Sequence, residues 1–346
     1  MHSDNSSSSS LNNFQRVTCK AYTNFQERQT VDLEFNAYGL IGQGTFGKIH
    51  LVRSLEHDGE PYADQDKVFA LKIVHQDPAY CNRELEVLEL LRNCSNILHL
   101  EYAYFTRYDS KIYLNLLTEY LSGGTLYSKI YTQKTTRATR AASRSSSRGS
   151  SKQFTIPKDL IKSWAKDVFR GLNFMHAKQI AHRDLKPENL AFDSHSNLKI
   201  IDLGSAKIID RHVTNSTDIC TLLYRAPELL LGNSYYSVTI DIWAAACIIC
   251  EMVTGRPLFT SSDKYHQIEK IVECFGKPSS NITSFTPKDQ LKTLNKLKTN
   301  GSVDIGLKKK IPQLNENDLL MSLLAKLFVY ENRLTAEQAL REHYFN

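Results

Sequence analysis

The chain changes its pattern once, and that change restricts its architecture more than any other feature. From Phe35 to Tyr120 the apolar residues fall in short runs rich in β-branched side chains. Lys48-Ile49-His50-Leu51-Val52 and Val68-Phe69-Ala70-Leu71-Lys72-Ile73-Val74 are two of them, and both read as strands. Beyond Leu121-Ser122-Gly123-Gly124 the spacing becomes helical: Leu160, Ile161, Trp164, Val168, Leu172 and Met175 make one stripe, and a second begins at Ser237. Strands followed by helices predict an α+β chain of two lobes joined near that Gly-Gly pair. One helix is expected inside the strand-rich part. Asp77-Pro78 supplies a cap and a first-turn proline for a segment running to about Arg92, with Leu85, Leu88 and Leu91 at helical spacing.

The expected organisation is a Ser-rich disordered tail over residues 1–34, a small β-rich lobe over 35–121 and a larger, mainly helical lobe over 122–346. With 346 residues and 41% apolar content the chain can bury a core of that size. Residues 132–153 interrupt the helical lobe with Ser, Thr and Arg and almost no large apolar side chain, so they read as a flexible insertion. The formal charge of +6 is local to that insertion, whose six cations face no acid; the remaining 37 basic residues match 37 acidic ones. No aromatic lies among those six cations to stack on a base, so they read as a solvated run and not as a nucleic-acid surface.

No apolar run approaches the ~20 residues that cross a bilayer, and the N-terminus carries no apolar signal core. Seven cysteines at irregular spacings do not form a disulfide framework, so a reducing compartment is expected, cytoplasmic and/or nuclear. Cys247 and Cys250 form a CxxC pair, but within WAAACIICEM they read as small buried residues and not as a metal or redox site.

The chemistry-bearing residues come in a fixed order. Gly42-Gln43-Gly44-Thr45-Phe46-Gly47 lies between two strands, where missing Cβ atoms let a hairpin close over phosphates. A dinucleotide loop would open a helix instead. Lys72 follows on a strand and Glu84 on the next helix, a cation and the carboxylate that fixes it. His182-Arg183-Asp184-Leu185-Lys186-Pro187-Glu188-Asn189 then matches the catalytic loop of protein kinases at every position. In that role Asp184 accepts the proton of the substrate hydroxyl, Lys186 neutralises charge on the moving phosphoryl group, and Asn189 holds Mg²⁺. Asp202-Leu203-Gly204 stands where DFG is usual, with Asp202 as second metal ligand, and Ala226-Pro227-Glu228 closes the activation segment. Lys186, together with Thr221 five residues before Ala226, resembles Ser/Thr-specific enzymes.

Tyr224-Arg225-Ala226-Pro227-Glu228-Leu229 and Asp241-Ile242-Trp243 resemble the group containing cyclin-dependent, MAP and glycogen synthase kinases. Asn82-Arg83-Glu84-Leu85, Tyr113-Leu114-Asn115-Leu116, Gly204-Ser205-Ala206-Lys207, Ile219-Cys220 and Arg333-Leu334-Thr335 resemble glycogen synthase kinase 3, over roughly residues 35–346. The resemblance implies the two-lobed kinase fold, ATP with Mg²⁺ as cofactors, and protein substrates. It places the nucleotide against Ile41, Gly42, Gly44, Gly47, Ile49, Ala70, Lys72 and Ala191, with the adenine on the backbone of Glu119 and Leu121 and Thr118 as a small gatekeeper. It also implies a pocket of Arg83, Arg183 and Lys207 for a phosphate already present on the substrate, four residues C-terminal to the target. Two departures stand out: Asp218 replaces the family's activation-segment Tyr, and Ala191 replaces a leucine under the adenine. Two rival readings remain open, a kinase switched on by phosphorylation at Ser216 and a kinase-like scaffold without activity, as does the need for a regulatory partner.

Overall fold

A computed structural model describes residues 15–44, 47–64, 67–76, 82–131, 156–210, 212–279, 286–297, 299, 301–316 and 318–346. The chain divides into two compact units, one of residues 1–93 and 98–120, the other of 94–97 and 121–346. The insertion 132–153 lies outside the described residues, as do Thr45 and Phe46.

The first unit is built on strands β1 (Gln15–Asn24), β2 (Gln29–Gly44), β3 (Gly47–His57), β4 (Glu60–Pro61), β5 (Phe69–Gln76), β6 (Leu100–Tyr108) and β7 (Lys111–Glu119). They form an antiparallel sheet in the order β2-β1-β6-β7-β5-β3-β4, and β3 pairs with β2 as well, so the long strands close on themselves. Closure removes the open edges that a sheet otherwise presents to other chains. Ala21, Leu33, Phe35, Val52, Phe69, Leu71, Tyr104 and Leu117 fill the interior.

The expected tail ends much earlier than residue 34, because β1 and the first half of β2 are integral to this sheet. Val17, Cys19 and Ala21 alternate with Arg16, Thr18 and Lys20, and Val31, Leu33 and Phe35 alternate with Asp32 and Glu34. Such alternation is half polar and reads as unstructured by composition, yet it puts every apolar side chain on one face. Among the described residues of this unit one helix is present, α1 (Arg83–Leu90), and it starts later than the Asp77-Pro78 pair suggests. Asn82 caps it, its Oδ1 accepting the Leu85 amide at 3.1 Å, while Asp77 to Cys81 lie outside the described residues. At the far end, Arg92 binds the Thr23 carbonyl and the Glu89 carboxylate, joining α1 to β1.

The second unit is mainly helical: α2 (Lys158–Ala177), α3 (Ile240–Thr254), α4 (Lys264–Phe275), α5 (Lys288–Lys296), α6 (Val303–Lys310), α7 (Asp318–Leu327) and α8 (Ala336–Leu340). Two small antiparallel pairs accompany them, β8 (Ile180–Ala181) with β11 (Lys207–Ile208), and β9 (Leu190–Phe192) with β10 (Leu198–Ile200). Every residue of α3 from Ile240 to Val253 is buried, so this helix is the core around which the others pack. Trp243 meets Phe328 edge-on at 5.0 Å between ring centroids and Phe275 at 5.9 Å. The stripe of α2 is buried as its spacing predicts, save Leu160, which is 42% exposed. Cys247 and Cys250 are free thiols inside α3, pushed far above their ordinary range by burial. Among the described residues no helix is long and apolar enough to cross a membrane.

Candidate active site

In the first unit, antiparallel pairing sets the spacing of the nucleotide-facing candidates. Gly42 pairs with Ile49 and Gly44 with Gly47 across the β2–β3 hairpin. Gly47 has φ +154°, and a Cβ there would lie 2.2 Å from the Ile73 carbonyl oxygen, so the hairpin lies this close to β5 only with glycine at that point. Ile49 in turn pairs with Lys72 on β5, and Lys72 with Leu116 on β7. The Lys72 ammonium donates to Glu84 Oε1 at 2.6 Å, and both side chains are largely buried. The expected lysine–glutamate pair is therefore formed. Ala70 pairs with Thr118, whose hydroxyl donates to the Ala70 carbonyl at 3.3 Å; Glu119 follows at the end of β7, its side chain accepting the His99 amide at 2.8 Å. Ile41 is exposed on β2, and Arg83 is exposed at the first turn of α1.

In the second unit the segment His182–Asn189 is held from below by Asp241 of α3. Asp241 Oδ2 accepts the His182 amide at 2.8 Å and His176 Nε2 at 3.0 Å, while Oδ1 accepts the Arg183 amide at 3.0 Å. Burial would raise this carboxyl, but the His176 hydrogen bond and charge, with the backbone donors, outweigh it and hold it below the ordinary carboxylate range. The anchoring lets Arg183 adopt φ +69°, a costly conformation for a side chain of its size. Sequence reasoning did not assign Asp241 this role, though a carboxylate at the start of a strongly apolar helix was the available signal.

Asp184 gathers four donors. Its Oδ1 accepts the Thr221 amide at 3.0 Å and the Thr221 hydroxyl at 2.8 Å; its Oδ2 accepts Lys186 Nζ at 2.7 Å and, more weakly, Asn189 Nδ2 at 3.4 Å. Asn189 Nδ2 also donates to the Asp184 carbonyl at 2.8 Å, which turns the amide oxygen away. Lys186 reaches the Thr221 hydroxyl at 3.4 Å as well. Asp184, Lys186, Asn189 and Thr221 thus form one cluster. Asp202 is joined to it through the backbone: the neighbouring Ile201 amide donates to the Asn189 carbonyl at 2.9 Å, and His182 Nε2 lies 3.0 Å from the Ile201 carbonyl. Asp202 itself is left-handed, φ +59°, and Leu203 beside it is buried. Ala191 is buried on β9, and Leu121 is partly buried.

The strand pairing of Lys207 with Ala181 sets Lys207 opposite the end of β8, two positions before Arg183 in the chain. Lys207 donates to Asn215 Oδ1 at 2.6 Å, and Asn215 is fixed by its own donation to the Val213 carbonyl at 2.9 Å. The buried Arg183 Nε has no hydrogen-bond partner among the described residues. Asp218 lies 3.3 Å from Arg225 but is 95% exposed, so that pair contributes little. The firmer hold on Arg225 is the Cys220 carbonyl, at 2.8 and 3.2 Å from two guanidinium nitrogens.

A second buried acid of α3 orders the end of the activation segment. Glu251 accepts the Tyr224 hydroxyl at 2.7 Å and the Tyr131 hydroxyl at 2.5 Å. Burial, reinforced by that carboxylate, pushes both phenols far above their ordinary range, so both remain donors.

A family model for the protein kinase domain matches residues 35–345. The Schizosaccharomyces pombe protein named Protein kinase gsk3 is 30% identical over 332 residues, covering 91% of this chain and 74% of that protein. Glycogen synthase kinase 1 of Pyricularia oryzae is 30% identical over 270 residues, covering 77% of this chain and 60% of that protein. The chain therefore belongs to the protein kinase family, as a divergent member of the glycogen synthase kinase 3 branch, and is a protein serine/threonine kinase.

Proposed function

We propose that this kinase transfers the γ-phosphoryl group of ATP to Ser/Thr hydroxyls of protein substrates that already carry a phosphate four residues C-terminal to the target. Asp184 orients the hydroxyl and accepts its proton, and Lys186 balances the charge of the transferring group. Thr221, bound to both, holds the activation segment against them. Lys72, fixed by Glu84, positions the α- and β-phosphates. Asn189 and Asp202 suit magnesium, since both offer the oxygen donors this cation prefers and the Asn189 amide nitrogen is already engaged. Bound with the nucleotide, the metal supplies charge neutralisation on the phosphates.

The observation that carries the priming reading is the buried, unpartnered Nε of Arg183 next to the strand of Lys207. A buried guanidinium nitrogen without an acceptor is costly, and a phosphate dianion supplies that acceptor. Arg83 is the third cation of the reading. The rival reading gives the site to the chain's own Ser216, exposed on the activation segment with its carbonyl accepting Tyr236 at 3.0 Å. Matched peptides with and without the phosphate separate the two. Lys207→Ala and Arg83→Ala should each lose roughly tenfold on the primed peptide and far less on the unprimed one. Equal activity of the wild type on both peptides would sink the priming reading; a general loss in Ser216→Ala would favour the rival.

A further inference from the structure

A cavity of about 830 Å³ opens in the second unit, lined by three segments distant in sequence. The loop after α3 brings Arg256, α4 brings Lys270, and the end of α6 brings Lys309 and Lys310. Against these four cations the lining holds one carboxylate, Glu273. None of the four cations pairs with an acid among the described residues. Lys270 donates to the Thr260 carbonyl, and Lys310 lies 5.2 Å from the centre of the Phe259 ring.

Lysines in the last turn of a helix complement its dipole, which accounts for Lys309 and Lys310 on α6 alone. It does not account for Lys270 and Arg256 arriving from elsewhere. Their convergence follows from close backbone packing. A Cβ on Gly306 would lie 2.1 Å from the Cys274 carbonyl oxygen, and one on Gly301 would lie 2.7 Å from that of Glu273. The Thr299 hydroxyl also donates to the Val272 carbonyl at 3.1 Å. Gly301 and Gly306 are thus pressed onto the end of α4, and four cations without an acid partner among the described residues line one cavity. A lining with that excess of positive charge is complemented by an anion.

The apolar part of the lining says what kind of anion. Pro257, Leu258 and Ile305 interleave with the cations, and Ile305 is 64% exposed. A free phosphate or polyphosphate has no surface to set against them. An extended acidic peptide carrying aliphatic side chains complements both, and the volume lies in the upper part of the ~300–1,000 Å³ usual for ligand sites. We propose that this cavity docks an acidic, aliphatic-containing segment of the kinase's protein substrates.

The test is made on the full chain without ATP, so that it stands apart from catalysis and from the priming reading. A fluorescein-labelled peptide, Glu-Glu-Leu-Glu-Asp-Leu-Glu, is titrated by anisotropy against the wild type and against Lys270→Glu/Lys309→Glu, whose folding is checked by its melting temperature. The expected result is saturable binding, weakened by salt, reduced about tenfold or more in the double variant, and reduced likewise when the leucines are replaced by serine. Equal binding by the wild type and a folded double variant would overturn the proposal. So would displacement by hexametaphosphate of a probe indifferent to leucine, which would mark a site for small polyphosphates. If the double variant does not fold, Arg256→Gln/Lys309→Gln replaces it under the same criteria. A kinetic arm uses one short substrate peptide with and without the acidic segment appended. The appended segment should lower KM for the wild type alone, with kcat unchanged and the short peptide phosphorylated equally by both proteins; an equal KM effect in the variant would also overturn it.

Discussion

The Arg333 guanidinium and the Glu228 carboxylate face each other through two hydrogen bonds, 2.8 and 3.1 Å long, within the second unit. The same guanidinium donates to the Thr239 carbonyl at 2.9 Å and lies 5.1 Å from the centre of a Trp243 ring. Glu228 ends the activation segment, so this pair joins that segment to the start of α3. Only a planar fork satisfies all these contacts at once. Arg333→Ala should therefore cost about 3–5 kcal/mol by leaving a buried carboxylate unpaired, and Arg333→Lys should recover only part of it. The check is chemical denaturation of the purified variants; a loss under about 1 kcal/mol would contradict the account.

Lys72→Met and Asp202→Asn should each reduce phosphoryl transfer to background while leaving the fold intact, because both side chains are assigned to ATP or its metal and not to core packing. Peptide phosphorylation assays beside circular dichroism measure the two halves of that statement. Substantial turnover by either folded variant would refute the site assignment.

Asp241 makes the second unit sensitive to acid. Its folded carboxyl is held below the ordinary range by His176 and the catalytic-loop amides despite burial, so its contribution is fully present above the unfolded pKa of about 4. That contribution falls away as pH drops through the lower folded value. Asp241→Asn should be clearly less stable than the wild type at pH 7, and the gap should narrow below about pH 4. Melting curves across that range decide it; a gap that stays constant from pH 7 to pH 3 would exclude this linkage.

Gly306 reverses an ordinary rule. Glycine inside a helix is usually improved by alanine, by roughly 0.5–1 kcal/mol. Here the new Cβ would fall 2.1 Å from the Cys274 carbonyl oxygen, a backbone atom that does not yield cheaply. Gly306→Ala should instead destabilise by about 1–3 kcal/mol. A raised melting temperature would show that α6 can move off α4.

The elements most legible in the sequence are those whose chemistry is local. His182 to Asn189 spans eight consecutive positions, and Asp184, Lys186 and Asn189 meet because one short loop carries them all. The order of strands and helices was legible for a similar reason, since period and turn residues act over a few positions. Legibility failed where a side chain's partner lies far along the chain. By sequence β1 reads as tail, because its alternating pattern acquires meaning only when β2 and β6 pair with it. The cap expected at Asp77 lies outside the described residues, and within them the side chain that reaches an α1 amide is that of Asn82. Asp241 meets the catalytic loop 59 residues away, and the four cations of the cavity converge from three segments. Residue type states what a group can bond to. Which bond it makes is set when the chain closes, because burial removes water as the alternative partner and leaves only the groups that packing has brought within reach.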